Sequence, residues 1–289
     1  MNDIAIGSLV VSRVIEDPRA LFETARFFPD STEDAIAEAR GWMGERFFDA
    51  ESGCFVLAVQ SYVVRAGGRT ILIDACVGNH KQGRRRESWN GGNWPWLENL
   101  AAAGVAPEDV DTVVCTHLHV DHAGWNTRLV DGRWVPTFPN AEYLTVQAEL
   151  DSLKQKHASG PDQYRQLYDD SVLPVIESGQ IVMVEPDHAL TDGVCLEPSP
   201  GHTPGHVSVR MVSDGEAAVV IGDLLHHPIQ GPHPHWNSMA CEDPELARRT
   251  RIDFLERTAD SGIAVLPAHF DPALVERAGE TFRFAFDRF

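Results

Sequence analysis

The chain has 289 residues, of which 43% are hydrophobic, so it holds enough apolar material to bury a sizeable core. Its formal net charge of −19 disfavours nucleic acid as a partner, because a negative field repels polyanions. Its five cysteines are scattered and odd in number, which is atypical of a disulfide framework and indicates a reducing compartment. No secretory signal and no membrane-spanning apolar run is evident, so we expect a cytoplasmic protein with no membrane partner.

Residues 18–50 are expected to form an N-terminal helical arm. Ser31 and Thr32, followed by acidic residues, are typical of a helix start, and apolar residues recur behind them at helical spacing. The pattern leaves open whether this arm packs on the chain's own core or pairs two copies as a homodimer.

From residue 54 the amino-acid composition is typical of β-strands. Two apolar, β-branched runs within 54–78 are joined by Ala66-Gly67-Gly68-Arg69, which predicts a hairpin at the start of the sheet. A helix is expected within 96–110, and the composition of 145–178 is also helical. Short strands are expected at 180–185 and 194–197.

Three further apolar runs each end in a side chain that binds metals, namely His117, Asp223 and His269. Side chains at the ends of adjacent strands converge at one edge of a sheet, where the strands hold them rigidly. We therefore expect these three side chains to lie close together.

The stretch THLHVDH, residues 116–122, places three imidazoles and a carboxylate together. His117 and His119 lie two apart on an extended segment, so their side chains point to the same side, while Asp121 and His122 follow as the chain turns. Imidazole and carboxylate without thiolate favour zinc, and would also accept manganese, iron or cobalt. The stretch predicts a metal site at the end of a strand.

Five short motifs occur in the same order as in the metallo-β-lactamase fold superfamily, and on this basis the sequence resembles that superfamily. They are IDACVG (73–78), THLHVDHAGW (116–125), PGHTPGH (200–206), IGD (221–223) and PAHF (267–270). The resemblance covers about residues 54–270. It implies an α/β fold of the αββα type, with two mixed β-sheets flanked by helices, and we expect one such domain over 1–289.

The resemblance also implies two divalent metal ions. The first would be held by His117, His119 and His202, the second by Asp121, His122 and His269, with Asp223 between them. Two such ions would supply a hydroxide for attack on a carbonyl or phosphoryl group, and Asp121 would relay a proton to the leaving group. The predicted reaction is metal-dependent hydrolysis of a small molecule.

Within the superfamily the chain most resembles the lactonases and the methyl-parathion-hydrolase-like enzymes. This predicts a lactone, a carboxylic ester or a phosphotriester as substrate. Acyl-homoserine lactonases carry a tyrosine three residues past the bridging aspartate, where this chain has His226. We expect His226 to contact the substrate by donating a hydrogen bond to an oxyanion.

Several other residues are expected to support or line the site. Asp74 is expected to orient a metal ligand, and His206 to be a hydrogen-bonded support. The loops 79–100 and 226–245 are expected to shape the substrate pocket. The lining candidates are His227, Trp236, Trp125, Trp89, Trp94 and Trp96. A core position is the alternative for Trp125, and a dimer contact is the alternative for Trp89, Trp94 and Trp96. The run Arg84-Arg85-Arg86 is expected to be a solvated basic patch.

Two other functions are compatible with the motifs. An iron-dependent oxygen enzyme of the persulfide dioxygenase kind uses the same fold with a single iron. A binding module without catalysis is the third alternative, although such a module has no need to keep a full set of ligands.

Overall fold

The computed structural model describes residues 3–289, which form two large β-sheets and one small one. The strands in chain order are β1 (Ile4–Ile6), β2 (Leu9–Glu23), β3 (Phe48–Asp49), β4 (Cys54–Ala66), β5 (Arg69–Ile73), β6 (Thr112–Val114), β7 (Thr127–Val130), β8 (Arg133–Pro136), β9 (Glu142–Val146), β10 (Ile181–Val184), β11 (Ala189–Thr191), β12 (Val194–Pro198), β13 (Val207–Ser213), β14 (Glu216–Gly222), β15 (Ala264–Pro267), β16 (Ala273–Ala278) and β17 (Thr281–Ala285).

The helices cover the outer faces of the sheets. In chain order they are α1 (Thr24–Phe27), α2 (Glu33–Phe47), α3 (Trp96–Ala102), α4 (Gln147–Ser159), α5 (Asp162–Leu167), α6 (Leu173–Glu177) and α7 (Pro244–Thr258). A single π-helical turn over 168–172 joins α5 to α6. In the part of the chain that is described, no helix has the length and apolar character needed to cross a bilayer.

The first sheet has the order β1-β2-β4-β5-β6-β9-β10, with β3 beside β4, and the second runs β11 to β17 in sequence order. Strands β5, β6, β9 and β10 pair in parallel, and so do β14 and β15. The loops that follow these parallel strands therefore meet at the carboxyl edges of both sheets. The hairpin predicted around residues 66–69 is confirmed by the antiparallel pairing of β4 with β5.

Side-chain alternation along the strands separates three apolar layers. In β5, Ile71 and Ile73 face the second sheet, whereas Leu72 packs beneath α3 and α4. In β14, Val220 faces the first sheet, whereas Val219 packs beneath α2 and α7. Helix, sheet, sheet and helix thus form the four layers of the expected αββα sandwich, and the fold-class prediction is confirmed.

The N-terminal arm is less helical than expected. Residues 18–23 belong to β2, and within 18–50 only α1 and α2 are helical. The start of α2 is confirmed, because the Thr32 hydroxyl accepts a hydrogen bond from the Ala35 amide at 3.2 Å. Pairing of two copies through 18–50 stays a prediction.

The sheets also extend beyond the expected core of 54–270. Strands β1 and β2 belong to the first sheet, and β16 and β17 close one edge of the second. The assignment of 1–289 to one domain stays a prediction.

Candidate metal centre

The loop after β6 carries the densest group of candidate ligands. The chain leaves the strand at Val114 and turns, with the amides of His122 and Ala123 both donating to the His119 carbonyl, at 3.1 and 3.2 Å. This turn brings the rings of His117 and His122 to a centroid separation of 4.0 Å.

The remaining candidates come from the second sheet. Asp223 follows β14, His269 follows β15, and His202 lies in the loop between β12 and β13. We expected the runs ending in His117, Asp223 and His269 to be neighbours at one sheet edge. Only β14 and β15 are neighbours, since β6 lies in the first sheet, so the site spans the edges of both sheets.

The structure brings the seven candidate ligands into two adjoining groups. Their ligand atoms lie within 4.8 Å of one another in each group, the first being His117, His119, His202 and Asp223, and the second Asp121, His122 and His269. Apart from Asp121, which is partly exposed, all of these residues are buried.

Asp223 lies between the two groups, with one carboxylate oxygen toward each. Its Oδ2 is 3.2 Å from His202 Nε2 and 3.7 Å from His117 Nε2. Its Oδ1 is 3.1 Å from His122 Nε2 and 2.9 Å from His269 Nε2. A single carboxylate is therefore positioned to serve two cations.

Burial controls the protonation of the first group. It holds the pKa of His117 and His119 well below the ordinary value and lowers the pKa of His202 to about 4. These imidazoles are therefore neutral near pH 7, which is the form that binds metals.

The second group is dominated by negative charge. Burial alone would lower the pKa of His122, but Asp223, Asp74 and Asp121 raise it well above its ordinary value. Burial alone would likewise raise the pKa of Asp223, but the surrounding imidazoles, with His269 first, hold it well below its usual range. Carboxylates at this density favour a positive charge, from a proton or a metal cation.

The donor set fits divalent metal ions. Among residues 3–289, the buried His117 Nε2, His119 Nε2, His122 Nε2 and Asp223 Oδ1 have no partner in hydrogen-bonding geometry, although imidazole nitrogens approach Asp223 Oδ1 to 2.9 and 3.1 Å. Buried polar atoms without partners are costly, and coordination to a cation would satisfy all four. Nitrogen and carboxylate oxygen without sulfur are ligands that zinc, manganese, iron and cobalt accept.

Asp74 orients the second group, as predicted. Its carboxylate accepts hydrogen bonds from His122 Nδ1 at 2.9 Å and from the Thr116 amide at 2.7 Å. With its Nδ1 proton held in this way, His122 presents Nε2 to the centre. Asp74 itself adopts a positive φ of 61° directly after β5, which places its side chain across the end of β6.

His206 is a hydrogen-bonded support, also as predicted. Its Nδ1 lies 2.8 Å from the Ser199 hydroxyl, and its Nε2 accepts from the Asp223 amide at 3.0 Å. Burial lowers the pKa of His206 to about 3, so the neutral ring keeps the acceptor that Asp223 needs. A comparable contact fixes His269, whose Nδ1 donates to the Ala58 carbonyl at 2.8 Å.

His226 lies at the edge of the first group. Its Nε2 is 3.3 Å from Asp223 Oδ2 and 3.1 Å from the Ser238 hydroxyl, and its Nδ1 is buried without a partner among the described residues. Burial lowers the pKa of His226.

Several expected lining residues are not at the site. His227 is fully buried, with Nε2 donating to the Phe47 carbonyl at 2.9 Å and Nδ1 accepting from the Ile229 amide at 3.2 Å. Trp236 is buried in the core beneath α2 and α7 and stacks on His233 with a centroid separation of 4.2 Å. Trp96 and Trp125 stack on each other at 5.3 Å in the core, so the core alternative holds for Trp125. Trp96 is fully buried and does not line the pocket or offer a dimer contact as expected.

The basic run was predicted wrongly in part. Arg84 is buried, and its guanidinium lies 2.9 Å from Asp170 Oδ1, so it is an internal ion pair and not a solvated charge. Arg85 is exposed, as expected, and Arg86 is half-buried.

Two buried glutamates that sequence reasoning missed hold the ligand loops in place. Glu149 accepts from the Leu118 amide at 2.8 Å and from the Gly205 amide at 3.0 Å, which ties the first histidine loop to the loop of His202. Glu16 accepts from the Val77 amide at 2.8 Å, the Gly78 amide at 3.0 Å and Trp125 Nε1 at 2.6 Å. Nothing local marks these two among the 43 acidic residues.

Comparison with known proteins places these observations in a family. Residues 54–269 match the profile described as "Metallo-beta-lactamase superfamily". An N-acyl homoserine lactonase of Bacillus cereus is 29% identical over 123 residues, covering 42% of this chain and 41% of the relative, so the chain spans about two fifths of that relative's length. Metallo-beta-lactamase domain-containing protein 1 of Xenopus laevis is 29% identical over 192 residues, covering 64% of this chain and 67% of the relative.

Solved structures share the fold over almost the whole chain. The hydrolase AbOPH of the beta lactamase superfamily aligns with a TM-score of 0.81 at 24% identity, covering 98% of this chain and 96% of the other. AidC, a dizinc quorum-quenching lactonase solved with the product N-hexanoyl-L-homoserine, aligns with a TM-score of 0.78 at 20% identity and the same coverage. At these identities the likeness establishes the architecture alone. The match of the family profile over 54–269 means that the chain belongs to the metallo-β-lactamase superfamily.

Proposed function

We propose that this protein is a metal-dependent hydrolase of small molecules, with two divalent ions, zinc being favoured. The observation that supports this most directly is Asp223, whose Oδ2 faces His117 and His202 while its Oδ1 faces His122 and His269. A buried carboxylate between two sets of imidazole ligands suits a pair of cations better than one.

The proposed ligands follow the two groups. His117, His119 and His202 would hold the first ion, Asp121, His122 and His269 the second, and Asp223 would contact both. Ions held in this way supply Lewis-acid polarisation of a carbonyl or phosphoryl oxygen and a more acidic water. The chain itself supplies the orientation of the ligands, through Asp74, His206 and the Ala58 carbonyl.

Asp121 and His226 are the proposed catalytic residues. The Asp121 side chain is 14% exposed and lies 3.7 Å from His269 Nε2, so it is the ligand candidate most open to a substrate and can carry a proton to a leaving group. His226 is proposed to donate a hydrogen bond to the oxygen that gains charge, because its Nε2 lies beside Asp223 in the same centre.

The proposed substrate class is a lactone, a carboxylic ester or a phosphotriester. The lactonase activity named for the Bacillus cereus relative and for AidC supports a substrate of this kind. All three substrates present a polarisable oxygen bonded to the atom attacked, so one centre can act on each of them.

Metal content and turnover test this function together. Protein purified without added metal is analysed for its elements, and initial rates are measured on a small lactone, an aryl ester and a phosphotriester. We expect about two zinc-like ions per chain, and His117→Ala should lower kcat/KM by more than about 100-fold. The matched control is His235→Ala, at an exposed histidine in the loop 226–245.

The alternatives give different results in the same experiment. A single iron with no hydrolysis of any probe would support the persulfide-dioxygenase-like enzyme. Tight binding of a small molecule with no turnover at full metal content would support a non-catalytic module. Recovery of activity when zinc is returned to chelator-treated protein is the further result that the proposed function requires.

A further inference from the structure

A row of aromatic rings leads away from the metal centre. The His226 ring lies 5.7 Å from Phe27, Phe27 lies 4.7 Å from Phe22, and Phe22 lies 6.2 Å from Trp89, all measured between ring centroids. We call these four rings, His226, Phe27, Phe22 and Trp89, the aromatic strip. They come from the loop after β14, α1, β2 and the loop 79–100, so the strip is made by the fold and not by one segment.

Arg86 lies at the outer end of the aromatic strip. Its guanidinium carbon is 4.3 Å from the Phe22 ring centroid and 5.4 Å from that of Trp89, which are cation–π distances. Its Nε donates to the Ser88 hydroxyl at 3.0 Å. The aromatic contacts therefore fix the plane of the guanidinium, while its terminal NH₂ groups remain available.

Arg86 is the half-buried member of two adjacent arginines that have no carboxylate partner. Across residues 3–289, no ion pair forms within 4.0 Å to Arg86 or to the exposed Arg85, whereas Arg84 pairs with Asp170. Arginine presents a planar fork of N–H groups that matches a carboxylate or phosphate. A half-buried guanidinium without such a partner is therefore a strong hydrogen-bond donor to an anion.

The charge near Arg86 also depends on the metal centre. Burial lowers the pKa of Arg86, and the nearby Asp17 and Asp121 act in the opposite direction. Asp121 is one of the proposed ligands, and coordination to a cation would offset its negative charge. In the metal-loaded protein the guanidinium would then have less negative charge near it than before.

A second unpartnered donor lies at the same end of the aromatic strip. Trp89 is 5% exposed, and among the described residues its indole Nε1 is buried without a hydrogen-bond partner. A buried N–H group without an acceptor costs free energy unless a bound group supplies one. Two donors, one charged and one neutral, thus stand beside the outer rings of the strip.

We propose that the aromatic strip and Arg86 form a subsite for substrates whose acyl or aryl portion ends in an anionic group, with a carboxylate as the simplest case. This inference rests on the proposed hydrolase function and narrows its substrate class. The apolar portion packs along Phe27 and Phe22, and the terminal carboxylate accepts hydrogen bonds from Arg86. A neutral alkyl tail of the same length gains the aromatic contacts only.

A pair of chromogenic esters that differ in one group tests the subsite. The probes are the mono-4-nitrophenyl ester of glutaric acid, which ends in a carboxylate, and 4-nitrophenyl pentanoate, which ends in a methyl group. With the zinc-loaded full chain, we expect kcat/KM to be about tenfold or more higher for the glutarate ester, since a charge-assisted hydrogen bond is worth at least a factor of this size. Arg86→Met should bring the ratio of the two values close to one.

Two variants separate a direct contact from a general effect of charge. Arg85→Met removes the same charge from the exposed neighbour and should leave the ratio at its wild-type value. Arg86→Lys keeps the charge without the fork and should keep part of the preference. An equal ratio in wild type and Arg86→Met, or an equal loss in Arg85→Met, would overturn the proposal.

Binding without turnover distinguishes failure of the subsite from failure of the hydrolase function. The 4-nitroanilides of glutaric and pentanoic acid have the same shapes as the esters and an amide that resists hydrolysis. We expect calorimetry on the zinc-loaded chain to give about tenfold tighter binding of the glutarate anilide, and the difference should vanish in Arg86→Met. If the anilides behave so while no ester is turned over, the hydrolase function is wrong and the subsite stands. If the esters are turned over without any preference, the subsite is wrong and the hydrolase function stands.

Discussion

Replacing Asp74 with asparagine tests whether one buried carboxylate sets the orientation of the second metal group. Asp74 is 2% exposed, and its Oδ1 accepts from the Thr116 amide while its Oδ2 accepts from His122 Nδ1. Asparagine keeps the shape but turns one of these oxygens into an NH₂ donor. One of the two acceptor positions must then face a donor.

Both arrangements of the new amide are costly. If the NH₂ group faces His122, the ring has to move its proton to Nε2, which lies 3.1 Å from Asp223 Oδ1, and the lone pair offered to the metal is lost. If it faces Thr116, a buried backbone N–H loses its acceptor, at a cost of about 1–3 kcal/mol. Loss of such a supporting contact lowers metal affinity by about 10–100-fold, which is about 1.4–2.7 kcal/mol. We therefore expect an effect of about 2 kcal/mol on metal binding.

Competition with a chromophoric chelator at pH 7.5 measures this effect as a zinc affinity. The matched control is Asp111→Asn, at an exposed aspartate that also accepts from a backbone amide, that of Thr70 at 2.8 Å, but lies at the opposite end of β5 and β6. Asp74→Asn should weaken one zinc and lower kcat/KM, whereas Asp111→Asn should do neither. Wild-type affinity for both ions in Asp74→Asn would refute the reasoning.

Two predictions concern stability away from the ligands. His227 is fully buried and burial lowers its pKa to about 3 from 6.5, so its stabilising contribution is complete above pH 6.5 and is lost as the pH falls toward 3. The glutamine side chain of His227→Gln does not titrate. The difference in free energy of unfolding between wild type and variant, measured by urea denaturation, should therefore shrink by about 2 kcal/mol from pH 7 to pH 5. A constant difference would contradict this. Glu16→Gln places an amide against three N–H donors and should lower the free energy of unfolding at pH 7.5 by about 2 kcal/mol, whereas no change in the urea midpoint would show that these contacts contribute little.

The parts of the fold that the sequence predicts are those with uninterrupted local patterns. Strands β4, β5, β14 and β15 are continuous apolar runs, and the glycine pair at 67–68 gives the hairpin its positive φ values of 58° and 78°. The candidate ligands of the centre are predictable for the same reason, because four of the seven lie within residues 117–122 and two more directly follow apolar strands.

Strand β2 is not predictable because its pattern is interrupted where it bends. The register with β4 shifts between Ile15 and Asp17 and again between Asp17 and Ala20, and the interrupted stretch reads Asp17-Pro18-Arg19. Proline and adjacent charges argue against a strand, although bulges tolerate them. The same strand holds Glu16 inside the protein and, further on, places Phe22 against Phe27.

The roles of the remaining residues are not predictable because their contacts are with residues far away in the sequence. Arg84 reads as part of a solvated basic run, and only the fold brings it to Asp170, which lies 86 positions later. A local sequence pattern cannot predict a contact between residues so far apart. The sequence likewise gives no sign that, of three adjacent arginines, Arg84 pairs with a carboxylate while Arg85 and Arg86 do not.

Buried carboxylates hold the loops of the metal centre in place by one type of contact, in which a carboxylate accepts hydrogen bonds from backbone N–H groups. Loops that carry ligands leave the sheets, so their backbone N–H groups lack strand partners and need other acceptors. Asp74 serves the loop after β6, Glu149 serves that loop together with the loop of His202, and Glu16 serves the turn after Asp74. Each acidic side chain replaces hydrogen bonds that a strand would have made, and each fixes the distance between loops that belong to different elements. The precision of the centre therefore depends in part on Glu16 and Glu149, whose sequence context is indistinguishable from that of the solvated acids that give the chain its charge.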